Sequence, residues 1–178
     1  MQRKTESEYI TRLPGFPVLI RNAPFRRVRD DWALDLSPNC LRQAVLWALA
    51  HKPAPLTGSE VRYVRHWMEL TLRDFAELCA MTSHQSVMKW ESKEDQPTGM
   101  HRSTEILLRC RILEALPEEV WARFEVQSER GREGFVHRLE ALSDFESDAD
   151  PVMIELVTGA DTQPWPRFGA VGVGSANV

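Results

Sequence analysis

The chain lacks any run of about 18 apolar residues, and its polar first residues lead into no apolar segment. It therefore offers neither a membrane-spanning helix nor a secretory signal, and a cytoplasmic protein with no membrane partner is expected. It is also poor in cysteine. Cys40, Cys79 and Cys110 stand far apart, each within an apolar or helical pattern. An odd, scattered count argues against a disulfide framework and against a zinc site of the paired Cys-x-x-Cys kind. All three are expected as buried small hydrophobes. Catalytic signatures are missing as well: there is no Gly-x-Ser-x-Gly, no phosphate loop and no His-Glu-x-x-His. No enzymatic activity, metal or cofactor is expected.

What is present is an ordinary globular composition, 43% hydrophobic and 27% charged over 178 residues. That is enough for one or two small domains. The net charge of −4 hides a gradient. Residues 1–56 carry +4, residues 57–111 are neutral and residues 112–178 carry −8. Local charge sets a nucleic-acid footprint, so an acidic whole does not exclude one. The acidic last third is the part least suited to DNA.

Residues 1–8 are polar and read as a frayed end. Leu13-Pro14-Gly15 signals a turn, and Phe16-Pro17-Val18-Leu19-Ile20 fits a short strand that Pro17 places at a sheet edge. Arg26-Arg27-Val28-Arg29 is either a solvated loop or an arm touching phosphate. Ser37-Pro38 caps a helix that runs to about His51, and Lys52-Pro53-Ala54-Pro55 stops it. Thr57-Gly58-Ser59-Glu60 is a capping box. Val61, Val64, Trp67 and Met68 follow it as an apolar face, with Arg62 and Arg65 outward. Thr71-Leu72-Arg73-Asp74 opens a second box-capped helix, Ser83 caps a third through about Trp90, and Ser103 caps a fourth. Helices are also expected from Pro117 and around Phe135–Leu142. Val152 to Val157 is an apolar run of undecided type, and disorder is expected from Gly159 onward.

Two of these helices, Thr71–Ala80 and Ser83–Glu91, joined by a short turn, have helix-turn-helix proportions. Ala76 is small where the two helices would cross. Val87 and Trp90 lie three apart as buried anchors, while His84, Gln85, Ser86 and Lys89 face outward. The fold class expected is mainly α. A helix-turn-helix domain of four to five short helices would occupy residues 56–116. Before it lies a small N-terminal segment, 1–55, with an edge strand and one helix. After it come a helical extension, 117–158, and a tail, 159–178.

The segment Leu70-Thr71-Leu72-Arg73-Asp74-Phe75-Ala76-Glu77, followed by Ser86-Val87-Met88-Lys89-Trp90-Glu91 and Pro97, resembles the Xre/Cro/CI family of helix-turn-helix regulators. The chain departs from it with Leu72 where Gln is common and Lys93 where Gly is common. The longer turn, the segment Leu56–Arg65, and Gln96-Pro97 with the helix from Ser103 to Arg109 are similar to the C-terminal domain of MqsA-type antitoxins. Those antitoxins also carry a zinc domain with two Cys-x-x-Cys pairs, which this chain lacks. The resemblance covers residues 56–113. It implies a homodimer on a palindromic double-stranded DNA operator, acting as a repressor. It also implies, as the alternative, a module that neutralises a small toxin and regulates its own operon.

Carried onto this chain, the family's base-reading positions fall on Gln85 and Lys89, with His84 and Ser86 beside them. Gln can pair bidentately with adenine, and Lys can reach guanine O6 and N7. Phosphate contacts are expected from the amides near Thr82 and Ser83 and from Arg73, Lys93, His101 and Arg102. For Arg73 an ion pair with Glu77 is the competing role.

Overall fold

In the computed structural model, which describes residues 2–120 and 154–157, the chain is not mainly α. It pairs a sheet with a set of five helices among the described residues. The sheet strands are β1 (Arg3–Thr11), β2 (Val18–Val28), β3 (Asp31–Leu34) and β4 (Ile154–Val157). The helices are α1 (Pro38–Ala50), α2 (Gly58–Trp67), α3 (Leu72–Leu78), α4 (His84–Glu91) and α5 (Arg102–Ala115).

The mainly α expectation fails at the N-terminus, for a physical reason. Residues 4–8 alternate charged and small polar side chains, a composition shared by frayed tails and by edge strands. Pairing, not local composition, decides between the two. β1 runs antiparallel to β2 from Arg3 opposite Arg26 to Thr11 opposite Val18. The expected edge strand at 16–20 is likewise corrected. Pro17 lies just before β2, which takes neighbours on both sides and is the central strand. The Arg26–Arg29 cluster is no loop: it ends β2 and turns into β3, antiparallel from Phe25 opposite Leu34. β4 runs parallel to β2, Ile154 opposite Val18, so the described part of the undecided run, Ile154–Val157, is a strand.

β3 and β4 share one side of β2, each covering a different half. Pro24 falls between them, opposite neither. A residue without an N–H is tolerated there because no ladder bond is required of it. Its carbonyl still accepts from Asp35 N–H at 2.7 Å.

The buried face of β2 changes parity along its length. Val18 and Ile20 are buried, then Ala23 and Phe25. Strict alternation would put these two pairs on opposite faces. Asn22, at φ 55°, absorbs the change, a conformation that Asn tolerates better than most residues. Tyr9 and Phe25 consequently meet edge to face, with centroids 5.0 Å apart.

α1 is capped by Ser37, whose hydroxyl accepts from Cys40 N–H, and Pro38 occupies its first turn. Leu41, Ala44, Val45, Ala48 and Leu49 are all buried. One apolar core runs from Phe16 and Val18 through α1, Val61, Val64, Phe75, Val87 and Trp90 to Leu108, Ile112 and Val120. Phe16, beyond the hairpin turn, meets Tyr63 of α2 edge to face at 5.5 Å. The expected cap of α5 is also corrected. His101, not Ser103, stands at its N-terminus, and its side chain accepts from Ser103 N–H. A further helical turn starts at Glu118. The rest of the expected helix there, the one at Phe135–Leu142 and the tail lie outside the described residues. No described helix is long and apolar enough to cross a membrane.

Within this core lies a cluster of four charges. Lys52 Nζ contacts both carboxylate oxygens of Glu60 at 2.8 Å. Arg109 Nη2 reaches Glu105 Oε1 and Ala54 O, each at 2.7 Å, and Arg109 Nη1 donates to Lys52 O. Glu105 Oε1 also accepts from Leu56 N–H at 2.9 Å, and Glu60 Oε2 from Thr57 N–H at 2.8 Å. The Lys52 and Glu60 side chains are 1% and 4% exposed. Burial lowers the Arg109 pKa, and the adjacent Glu105 charge works against that shift.

These buried groups set two measurable outcomes. Lys52→Met leaves the Glu60 charge without its cation and should cost about 3–5 kcal/mol in urea unfolding; a loss below about 1 kcal/mol would refute the pairing. Burial also pushes the Cys79 thiol from 9.0 up to about 12. The Tyr63 phenol rises from 10.0 to about 12 by burial, with Arg42 pulling the other way. Their contribution to stability is complete below the unfolded values and is lost as pH rises toward 12. Urea midpoints should therefore decline above pH 9.0, and Cys79→Ala should flatten the first part of that slope.

Candidate nucleic-acid interface

Helices α3 and α4 are each started by a hydroxyl. The Thr71 side chain accepts from Asp74 N–H at 3.2 Å and donates to Asp74 Oδ2 at 2.7 Å. The Asp74 carboxylate thus meets the threonine hydroxyl, whereas the full reciprocal box expected here is present at Thr57 and Glu60. Ser83 Oγ accepts from Gln85 N–H at 3.2 Å and starts α4.

The turn between them is built without glycine. Met81 N–H reaches Ala76 O at 2.8 Å and Ala80 N–H reaches Glu77 O at 3.0 Å, with Ala80 at φ 54°. This is the Schellman pattern. It recurs after α2, where Leu70 N–H reaches Arg65 O, Glu69 N–H reaches His66 O, and Glu69 sits at φ 55°. Both left-handed positions hold residues other than glycine, so both carry backbone strain.

α4 buries Val87 and Trp90 and exposes the opposite side. Gln85 and Lys89, one turn apart, are exposed together, with His84 and Met88 alongside as a second exposed pair. Ser86 is half-buried and stands back from this face. Met88, 51% exposed, is a member of the face that hydrophobic patterning alone had not marked. Its signal was its position, one turn after His84.

The C-terminal end of α4 is gripped from α2. Arg65 Nε and Nη2 bond the two Glu91 carboxylate oxygens at 2.6 and 3.0 Å. Arg62 Nη2 donates to Glu91 O at 2.9 Å. Arg65 was expected to face outward. Instead it is nearly buried, against a buried Glu91. The clue was a glutamate directly after a buried tryptophan, with arginines on the polar side of a neighbouring helix. Gly58 completes the grip. A Cβ at that position would lie 2.4 Å from Trp90 O and 2.7 Å from Glu94 N. Gly58 N–H bonds Gln96 O at 3.2 Å, and Ser59 N–H bonds Glu94 O at 2.8 Å.

The remaining expected contacts are distributed around this unit. Thr82 is exposed and Ser83 half-buried at the start of α4. Arg73 is exposed on α3, with Glu77 3.5 Å away. Lys93 is exposed in the loop after α4, and its ammonium lies over Gly99. His101 Nδ1 is 2.8 Å from Ser103 Oγ at the start of α5, where Arg102 is also exposed. The acids Asp74 and Glu77 are exposed on α3, so cations and acids are mixed around α4. Among the described residues no group of His, Cys, Asp and Glu is arranged to hold a metal.

Gly58→Ala should cost about 1–3 kcal/mol, because backbone of the α4 end must move to admit the methyl. Ala80→Gly should have the opposite sign. Relief of left-handed strain exceeds the added freedom of the unfolded chain, for a net gain of up to about 1 kcal/mol. Urea unfolding of both variants checks the pair, and equal signs would contradict the backbone assignment.

No protein-family model, curated protein or solved structure matches the chain.

Proposed function

We propose that the chain is a sequence-specific DNA-binding regulator that inserts α4 into the major groove. The observation that carries this is the division of α4. Val87, Trp90 and Glu91 are fixed from beneath, and Gln85 and Lys89 stand exposed on the other side. A helix held rigidly at its base, with long donor and acceptor side chains outward, suits direct readout of base edges. The resemblance of residues 56–113 to Xre-type regulators points the same way.

In this reading Gln85 pairs with adenine and Lys89 with guanine. His84 serves as a supporting contact, with the half-buried Ser86 set back beside it. Amides at Thr82 and Ser83 meet a phosphate. Arg73, Lys93, His101 and Arg102 supply salt-dependent attraction without sequence information. Asp74 and Glu77 repel phosphate and limit how far α3 approaches the strand. The regulator acts as a repressor by occupying a palindromic operator as a dimer.

Selection of bound duplexes from a random pool, at stated salt, tests the proposal. The expected result is a palindrome with fixed half-site spacing. Gln85→Ala and Lys89→Ala should each reduce discrimination at one base position about tenfold to a hundredfold. Arg73→Ala should weaken all sequences alike and lower the salt dependence. Retention of full affinity and preference in both α4 variants would sink the assignment.

A further inference from the structure

We infer that β1 is the dimerisation edge, and that its occupant is β1 of a second copy in antiparallel register about Thr5. The inference stands on the sheet and not on DNA recognition.

Arg27 N–H donates to Gln2 O at 3.0 Å, so residues 2 and 27 form a hydrogen-bonded pair. Alternation along the regular ladder then assigns the same state to Lys4 with Phe25 and Glu6 with Ala23. Arg3 and Thr5 point their backbone groups the other way. Pro24, opposite Thr5, supports this: its carbonyl faces Asp35 on the far side of β2. Among the described residues no strand pairs with the outer side of β1. The strand is nine residues long and has neither proline nor glycine, and proline is one of the usual guards against edge pairing.

The side chains choose the partner. About a two-fold axis at Thr5, Lys4 falls opposite Glu6 of the second copy, and Glu6 opposite its Lys4. Arg3 falls opposite Ser7, and Gln2 opposite Glu8. No like charges face each other. About an axis at Glu6, that glutamate would meet its own copy. About an axis at Ser7, Glu6 would face Glu8. Lys4 and Glu6 are 39% and 38% exposed and already bond each other at 2.7 Å. Pairing would turn two such ion pairs into an alternating group of four charges. A single strand pair is smaller than a standard interface of about 1,600 Å², so association is concentration-dependent.

Sedimentation equilibrium of the full chain without DNA tests the inference. The parent should show a monomer–dimer equilibrium. Lys4→Glu and Glu6→Lys should each weaken it about tenfold or more, because two attractive cross-strand pairs become repulsive. An equimolar mixture of the two variants should recover a dimer. In the mixed pair, both acidic side chains of the Lys4→Glu strand face lysines of the Glu6→Lys strand. Neither variant regains its internal ion pair on mixing, so recovery reads the interface alone. Thr5→Pro should abolish association with an unchanged circular dichroism spectrum, because its N–H takes no part in the β1–β2 ladder. A parent that stays monomeric at every concentration overturns the inference. So does a dimer equally strong in all variants, or a mixture that fails to recover. Base contact by Gln85 and Lys89 is read separately, by the selection of bound duplexes, so failure of the dimer edge and failure of base readout are distinguishable.

Discussion

Four buried charges hold the crossing between the sheet-side helix and the helical unit around α4. Lys52 ends the α1 segment, Glu60 opens α2, and Glu105 and Arg109 come from α5. Leu56 and Thr57 give their N–H groups to the same carboxylates, and Lys52 and Ala54 give their carbonyls to the guanidinium. The linker at residues 52–57 cannot form regular structure through Pro53 and Pro55, so its backbone polar groups would otherwise be buried unpaired. Charged side chains replace the missing secondary structure as bonding partners. Ion clusters of this kind are costly to desolvate, and an apolar core often matches them in stability. Here they fix a path. The linker follows the course that brings its amides and carbonyls within reach of these charges, and that course sets where α2 begins.

From the start of α2 the constraint passes to α4. Gly58 lies against the backbone at the end of α4, and the neighbouring amides bond the loop that follows it. Arg65 then clasps Glu91. α4 is therefore anchored at its C-terminal end and along its buried side. Its N-terminal turn, with Gln85, is left toward solvent. The arrangement separates the residues that fix geometry from those that could read a ligand, and substitution of the exposed set should leave the grip intact.

Much of the helical portion was legible because helices announce themselves locally. Ser37-Pro38, Thr57 with Glu60, and Ser83 mark starts within a few residues of the groups they bond. The outward face at Gln85 and Lys89 followed from the period fixed by Val87 and Trp90. The sheet was not legible in the same way. The partners of β1 lie 7 to 23 positions away, and those of β4 about 136 away; no short window contains such pairs. The parity change at Asn22 also erased the alternation that would have marked β2 as one long strand. The Arg65–Glu91 clasp joins residues 26 apart in sequence, and Arg65 alone looked like an outward charge. The Schellman turns were hidden because Glu69 and Ala80 stand where glycine is usual.

β4 brings a late piece of the chain back to one of the earliest. Among the described residues, Val18 to Arg21, largely apolar, have a neighbour on that side only from Ile154 to Val157. On the ribosome, at about 5–20 residues per second, β1 and β2 emerge many seconds before that neighbour exists. For that interval the β1–β2 hairpin presents a sticky half-edge to its surroundings or to a holding chaperone. The order of synthesis, rather than any group in the finished molecule, sets when this half-edge of β2 is covered.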